Sequence, residues 1–300
     1  MVFNFLKYKK LYFIFSGILI LGSLICLLFF GLNLGMDFTG GSILEVEYKE
    51  ARISNQLIKA KLAELNLGEI LIQPTNQKGV ILRMKDISEE IHQEILKKLA
   101  EDGEIQELRF ESIGPTIGRE LKEKTKIFVV LALFSIVLYV ALAFGRIQRP
   151  IRSWWLSIAA LIALFHDILI PLGIFSVLGK FYGVQITIPI VVALLTVLGY
   201  SINNTVVVFD RLRENLLKRL NLTFEDAVNQ SLNQTLTRSI NTSLTTLFIL
   251  FAIFFFGGET LKYFSLILIL GISLGTYSSI FIASPILVSW LKWRQKRVPV

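Results

Sequence analysis

Residues 154–178 read WWLSIAALIALFHDILIPLGIFSVL, an apolar run interrupted near its middle by His166 and Asp167. Runs of about 18 or more apolar residues are long enough to cross a hydrocarbon layer about 30 Å thick as a single helix. Five more such runs flank it: Leu11–Leu34, Ile127–Phe144, Val184–Phe209, Ser239–Phe256 and Tyr263–Trp290. Ser239–Phe256 is the weakest at its start, where Asn241, Thr242 and Ser243 dilute it. A soluble chain of 300 residues would gather its apolar residues in one core beneath a polar surface; here 53% of the residues are hydrophobic, and they come in blocks. The pattern is that of a polytopic α-helical membrane protein with six transmembrane helices.

The first run exceeds the 7–15 residues or so of a signal-peptide h-region, and no small-x-small cleavage site follows it, so it reads as an uncleaved anchor. The single cysteine, Cys26, lies inside it, which excludes a disulfide framework. The net charge of +8 divides unevenly. Residues 37–126 hold 14 Lys/Arg against 17 Asp/Glu, whereas the rest of the chain holds 17 against 6. The basic excess sits beside the helices. Lys7, Lys9 and Lys10 precede the first, and Arg146, Arg149 and Arg152 separate the second from the third. Arg211, Arg213, Lys218, Arg219 and Arg238 follow the fourth, and Lys292, Arg294, Lys296 and Arg297 follow the sixth. The opposite short loops carry only Lys180 and Lys262. This positive-inside asymmetry predicts that both termini face the cytoplasm and that the segment after the first helix is outside. The basic balance therefore reports topology, not a nucleic-acid partner. The expected map is a cytoplasmic N-terminus with helix one over 1–36 and an extracytoplasmic domain over 37–126. Helices two to six follow over 127–291, with a cytoplasmic loop at 210–237, and a basic tail occupies 292–300.

Within the insertion, Ser42–Tyr48 (SILEVEY) alternates apolar and charged residues as a half-buried strand does. Asn55–Leu65 spaces Leu57, Ile58, Leu62 and Leu65 helically. Glu69–Gln73 and Val80–Met84 read as two strands joined by a polar turn, Pro74 to Gly79. Ile87–Leu99 is again helical, with Ser88 as N-cap, and Ile105–Glu111 closes as a strand. The order β-α-β-β-α-β predicts a ferredoxin-like α+β domain, which is a fold and not a function. Within 210–237, Leu212, Leu216, Leu217 and Leu220 predict an amphipathic continuation of helix four, and Thr223 with Glu225 and Asp226 predicts the start of a separate short helix.

No phosphate-cradling glycine loop, zinc-spaced His/Cys set or nucleophile–base pair occurs, so neither enzymatic activity nor a cofactor or metal is expected. Polar groups at membrane depth are the informative residues, because each costs free energy unless paired, hydrated or functional. His166-Asp167 either locks helix packing or lies on a wet proton path. Helix four carries Gly199-Tyr200-Ser201-Ile202-Asn203-Asn204-Thr205, a polar turn in an apolar span that serves close helix packing or an ion pathway. Arg238, at the start of helix five, is an interfacial anchor that snorkels or a cation facing that turn. Gly35-Met36-Asp37-Phe38-Thr39-Gly40-Gly41 joins helix one to the domain, its glycines permitting positive φ and Asp37 bonding nearby amides. Gly114, Pro115 and Gly118 mark the second joint, where the chain returns to the membrane.

Taken together, Gly35–Gly41 (GMDFTGG), Ile113–Leu121 (IGPTIGREL), His166-Asp167, Gly199–Arg211 (GYSINNTVVVFDR) and Arg238–Ser243 (RSINTS) resemble the SecD/SecF family of bacterial preprotein translocation subunits, and the DFTGG form points to its SecF branch. The resemblance covers essentially the whole chain. It implies a six-helix half of an RND-type membrane fold in the bacterial cytoplasmic (inner) membrane. It further implies assembly with SecD beside the SecYEG channel, with YajC and YidC as further candidate partners. The proton (in some bacteria sodium) gradient would be used to draw unfolded preprotein outward. The alternatives are a structural, SecD-stabilising subunit with no proton path of its own, or a half-size RND-like exporter. One departure matters. The family's helix-four motif usually reads Ser-Ile/Leu-Asn-Asp-Thr, and its aspartate is the candidate proton carrier facing the arginine that corresponds to Arg238. Here that position is Asn204, flanked by Asn203 and Thr205; it keeps the shape but has no titratable charge. A carboxylate of the SecD-like partner, Asp167 or Asp210 in this chain, or an aspartate replaced in this sequence would each account for it.

Overall fold

The chain enters its first helix through a one-turn 3-10 helix, Phe5–Tyr8, whose cap is Asn4: its side-chain oxygen accepts from the Lys7 amide. Helix α1 (Lys9–Phe30) follows and ends at Gly31, where φ is +67°. A short turn, α2 (Met36–Thr39), leads into strand β1 (Gly41–Tyr48). After α3 (Asn55–Leu62) come β2 (Leu71–Pro74), β3 (Gly79–Met84), α4 (Glu89–Ala100) and β4 (Ile105–Ile113). Five longer helices complete the chain. They are α5 (Pro115–Ala143), α6 (Ser153–Tyr182), α7 (Ile188–Lys218), α8 (Phe224–Phe256) and α9 (Glu259–Ser278), the last continued through a π-turn (Ser279–Ala283) into α10 (Ser284–Arg297). This computed structural model describes residues 3–75, 77–143, 153–218 and 222–297. Phe144, Arg146, Arg149, Arg152, Arg219 and Leu220 lie outside the described residues. The chain divides into two units, residues 34–128 and residues 1–33 with 129–300.

Unit 34–128 is an antiparallel four-stranded sheet of order β2-β3-β1-β4 with two helices packed on it. The alternation of β1 explains its placement at the centre. Leu44, Val46 and Tyr48 point inward, and Leu44 pairs with Leu82 on one side and Phe110 on the other. Ile58 and Leu62 of α3 and Ile95 and Leu99 of α4 close the core, all with no exposed surface. The β-α-β-β-α-β order and ferredoxin-like sheet are as the sequence reads. Ser88 is the N-cap residue of α4, although its side chain makes no capping bond to the backbone.

Among the described residues of the other unit and of α5, six helices are long and apolar enough to span a membrane: Phe5–Phe30, Pro115–Ala143, Trp154–Tyr182, Ile188–Lys218, Phe224–Phe256 and Leu261–Gln295. Within the segment 210–237, helix four continues to Lys218 as the spacing of Leu212, Leu216 and Leu217 reads, but α8 already begins at Phe224, which puts Arg238 well inside a helix. The separate short helix expected after Thr223 is the first part of α8 itself; the Thr223 hydroxyl accepts from the Asp226 amide, so the cap was legible but the helix it opens is far longer. The first turns of α8 are held by the N-terminal segment, whose Phe3 and Phe5 amides donate to Asn233 and Asn229 at 2.9 Å.

The six spans are not equivalent. In the most apolar stretches of α6, α7 and the last span, 61, 50 and 61% of residues are buried, against 11, 6 and 17% for the first, second and fifth spans. Small residues let the inner helices approach. A Cβ on Gly271 would lie 2.3 Å from a Val197 methyl, one on Gly275 2.9 Å from the Ser201 Cβ, and one on Gly173 2.4 Å from Ser23. Gly271 and Gly275 form a small-xxx-small seam between α9 and α7, the means by which membrane helices pack without a hydrophobic driving force.

Candidate functional site

Two polar clusters occur at membrane depth, both on the α7–α9 seam. The first centres on Asp167 of α6. His166 and Asp167 are both fully buried. The His166 Nδ1 lies 2.8 Å from Asp167 Oδ1, and the hydroxyls of Ser201 (α7) and Ser278 (α9) donate to Oδ2 at 2.5 and 2.6 Å. One carboxyl thus ties three helices together. Its own backbone is also unusual: Pro171 sits inside α6 and has no N–H to return to the Asp167 carbonyl four residues back. Ser278 is followed at once by the π-turn, and such turns often mark functional positions in helices. The His166 ring stacks near Tyr277 (centroids 6.0 Å apart), and its Nε2 has no hydrogen-bond partner among the described residues.

The second cluster is the polar turn of α7. Asn204 is buried, yet its side chain makes one weak bond, Nδ2 to Thr276 Oγ1 at 3.4 Å. Thr276 is in turn 2.5 Å from the Ser243 hydroxyl of α8, to which Tyr200 donates at 3.5 Å. Thr205 is buried, whereas Asn203 is exposed on the outer side of the helix. One to two turns further, Asp210, Arg211, Glu214, Gln234, Thr235 and Arg238 line an open cleft of about 420 Å³ between α7 and α8. Arg211 is held by Glu214 and by Gln234 at 2.7 Å. Among the described residues, the Asp210 carboxylate and the Arg238 guanidinium make no ion pair or side-chain hydrogen bond, and both are exposed. The structure therefore gives Asn204 and Arg238 different surroundings, one in the seam and the other in the cleft.

The joint residues all fall inside unit 34–128. Asp37 is half-buried on α2; Thr39 is exposed and its hydroxyl donates to the Gly35 carbonyl at 3.1 Å. Gly40 takes φ +76°, and a Cβ there would come 2.8 Å from the Pro115 Cα; one on Gly41 would meet the Met84 carbonyl at 2.8 Å, and one on Gly118 the Gly40 nitrogen at 2.7 Å. Only glycine permits this backbone-to-backbone approach. Gly114 has ordinary clearance, 3.7 Å from Asp86.

Reading the sequence alone does not find Ser278, Thr276 or Tyr277. The signal is present as Gly275-Thr276-Tyr277-Ser278-Ser279, a small and polar run in the last span like that of helix four. Among the described residues no group of three or more His, Cys, Asp or Glu side chains is placed to hold a metal.

Comparison with known proteins bears on the whole chain. Residues 91–293 match the model of the protein export membrane protein SecD/SecF, C-terminal family, and residues 27–51 match the SecD/SecF GG motif. The protein translocase subunit SecF of Thermobaculum terrenum is 41% identical over 96% of this chain and 93% of its own length. That of Anaerolinea thermophila is 36% identical over 97 and 96%. Among solved structures, SecDF from Thermus thermophilus, described as a translocon-associated membrane protein, superposes with a TM-score of 0.85 at 32% identity. The match covers 97% of this chain and 39% of that one, so this chain spans well under half of the SecDF polypeptide.

Proposed function

Because the chain belongs to the SecF branch of the SecD/SecF protein-export family, we propose that it is the smaller half of a SecD–SecF complex. That complex uses the proton or sodium gradient to promote late-stage export of unfolded preprotein through SecYEG. It would lie in the bacterial cytoplasmic membrane with both termini inside, as the Lys/Arg distribution argues, with membrane lipid around it and YajC and YidC as further neighbours. The observation that carries this reading is the outward face of α7 and α8. Thr196, Gly199, Asn203 and Asp210 of α7 and Arg238, Asn241, Thr242 and Thr245 of α8 are exposed along spans rich in Val, Leu, Ile and Phe. Ionisable and amide side chains do not face hydrocarbon, so this face suits a second membrane subunit. Asn204 cannot titrate, so a coupling proton at this face would be carried by a partner carboxylate placed against Arg238.

Two results test the reading. Detergent-solubilised protein is expected to copurify with a larger homologous subunit, and recovery as a stable, functional homodimer counts against it. In vesicles at fixed proton-motive force, Arg238→Ala is expected to abolish gradient-stimulated export while leaving the complex assembled. Unchanged export would leave the chain a scaffold without a path of its own. The exporter alternative draws no support from unit 34–128, most of whose apolar side chains are engaged in its own core.

A further inference from the structure

We propose that Phe3–Phe5 form a strap that positions α8, and with it Arg238, through the side chains of Asn229 and Asn233. A role in export rests on the gradient-coupled reading above, but the strap itself can be observed without export.

The N-terminal segment is bound by side chains 224 and 230 residues away. Phe5 opens the first 3-10 turn, and an amide at the start of a helix has no acceptor within that helix. Asn229 supplies one, its Oδ1 accepting from the Phe5 amide at 2.9 Å. Asn233 takes both polar groups of Phe3, accepting from its amide at 2.9 Å and donating to its carbonyl at 2.8 Å. An asparagine side chain can meet a backbone in this two-bonded way because it carries an amide's own donor and acceptor. The Phe5 side chain is buried in the apolar cluster that includes Ala227, Val228 and Leu232 of α8. Its ring lies 5.9 Å from that of Phe281 in the π-turn, so the strap ties the first turns of α8 to the last span.

Arg238 lies five residues beyond Asn233, about 7.5 Å further along the helix. Among the described residues its guanidinium makes no ion pair or side-chain hydrogen bond, so its place is set by the backbone that carries it. That backbone is thinly held, since only 17% of the most apolar stretch of α8 is buried. On the cleft side, Asn215 and Arg211 of α7 bond Ser231 and Gln234 at 2.7–2.9 Å. Glu225 pairs with Lys292 of α10, but the pair is exposed and such pairs contribute little. Past Arg238 the next tie is Ser243 to Thr276 at 2.5 Å. Without the strap, the turns below Ser243 can swing and change the width of the cleft in which Arg238 stands.

The test reads the position of α8 first and export second. Cys26 is the chain's single cysteine, so Cys26→Ser clears the background for spin labels at Leu217→Cys on α7 and Thr237→Cys on α8, both exposed. In the full chain in lipid bilayers we expect one narrow distance between them. Asn229→Leu with Asn233→Leu should broaden it, and Asn229→Asp, which keeps the acceptor for the Phe5 amide, should not. Phe3→Pro deletes the amide that Asn233 binds without touching α8, and should broaden it too, which keeps the test open if the double variant does not fold. In vesicles with the larger partner subunit, gradient-stimulated export is expected to fall about tenfold in the double leucine variant, since small displacements of a working group cost at least that much. Asn229→Asp should export as the unaltered chain does. A distance unchanged by both the leucine and the proline variants overturns the strap, and a broadened distance with undiminished export overturns its positioning role. Export that ignores the gradient in the unaltered complex would instead sink the parent reading, and the distances would still decide the strap.

Discussion

The two polar clusters of the membrane unit solve the same physical problem in opposite ways. Around Asp167 every element needed lies within the chain: three donors from α6, α7 and α9 meet one buried carboxyl. At the α7–α8 face the pieces are present but apart, with Asn204 held by one 3.4 Å bond and Arg238 exposed in a cleft beside Asp210, which has no ion-pair partner among the described residues. A polar group persists at membrane depth either because its own fold satisfies it or because something else completes it. The closed cluster should therefore show its worth in stability, and the open one in function.

The largest effect on stability is expected from Asp167→Ala. Three donors lose their acceptor, each at a cost on the order of 1 kcal/mol, so a loss of about 3 kcal/mol should appear in reversible unfolding in lipid. Gly275→Leu comes next. Its side chain would run into Ser201, and overpacking of this kind costs about 1–3 kcal/mol; because the seam serves both clusters, it should lower stability and export together. Asn204→Ala removes only the weak bond to Thr276, for which about 0.5–1 kcal/mol is expected, in the range measured between membrane helices. Arg238→Ala breaks no side-chain bond among the described residues and should stay within about 0.5 kcal/mol, yet it is the substitution expected to stop gradient-stimulated export. Asn204→Asp puts a titratable charge back on the open face. It should preserve folding and raise export at fixed gradient, and no change from it or from Arg238→Ala would mean that this face is idle.

How much of this was legible in the sequence follows from the range of the forces involved. Six spans, their one inserted domain and its β-α-β-β-α-β order rest on runs and periodicities that local sequence carries, and His166-Asp167 and the polar turn of α7 stand out as departures from those runs. The extent of α8 was missed because the window that finds apolar spans discards the polar turns before Ser239. Those turns are helical for tertiary reasons: Asn229 and Asn233 bond the N-terminal segment, and Ser231 bonds Asn215 of α7. The partners of Asp167 come from 34 and 111 residues away, a pairing that no local pattern encodes. The joint was legible as glycines but not as a contact, since only the fold reveals that Gly40 and Gly118 are set against each other.

The second histidine sharpens the comparison at its smallest scale, because it is the counterpart of His166 in unit 34–128. His92 stacks on Phe110 at 3.7 Å and stands between two carboxylates, Glu89 at 3.1 Å and Glu107 at 3.4 Å. Unlike Asp167, Glu89 is open to water. Its carboxyl is held below the usual glutamate range first by the Gln93 amide at 2.6 Å and then by His92. A carboxyl whose folded-state pKa is lowered contributes stability that is present above its unfolded value. That contribution is lost as the pH falls through the folded one. The loss should accordingly begin below about pH 4.3 and be slight, since solvent screens an exposed pair. Carbon-13 NMR of the Glu89 carboxyl should move its midpoint upward in Gln93→Ala, and less in His92→Gln. If the histidine variant moves it more, the imidazole is the principal holder. Both buried histidines would then hold a carboxyl alike, and the contrast between a sealed site and an open one would reduce to the exposure of the carboxyl alone.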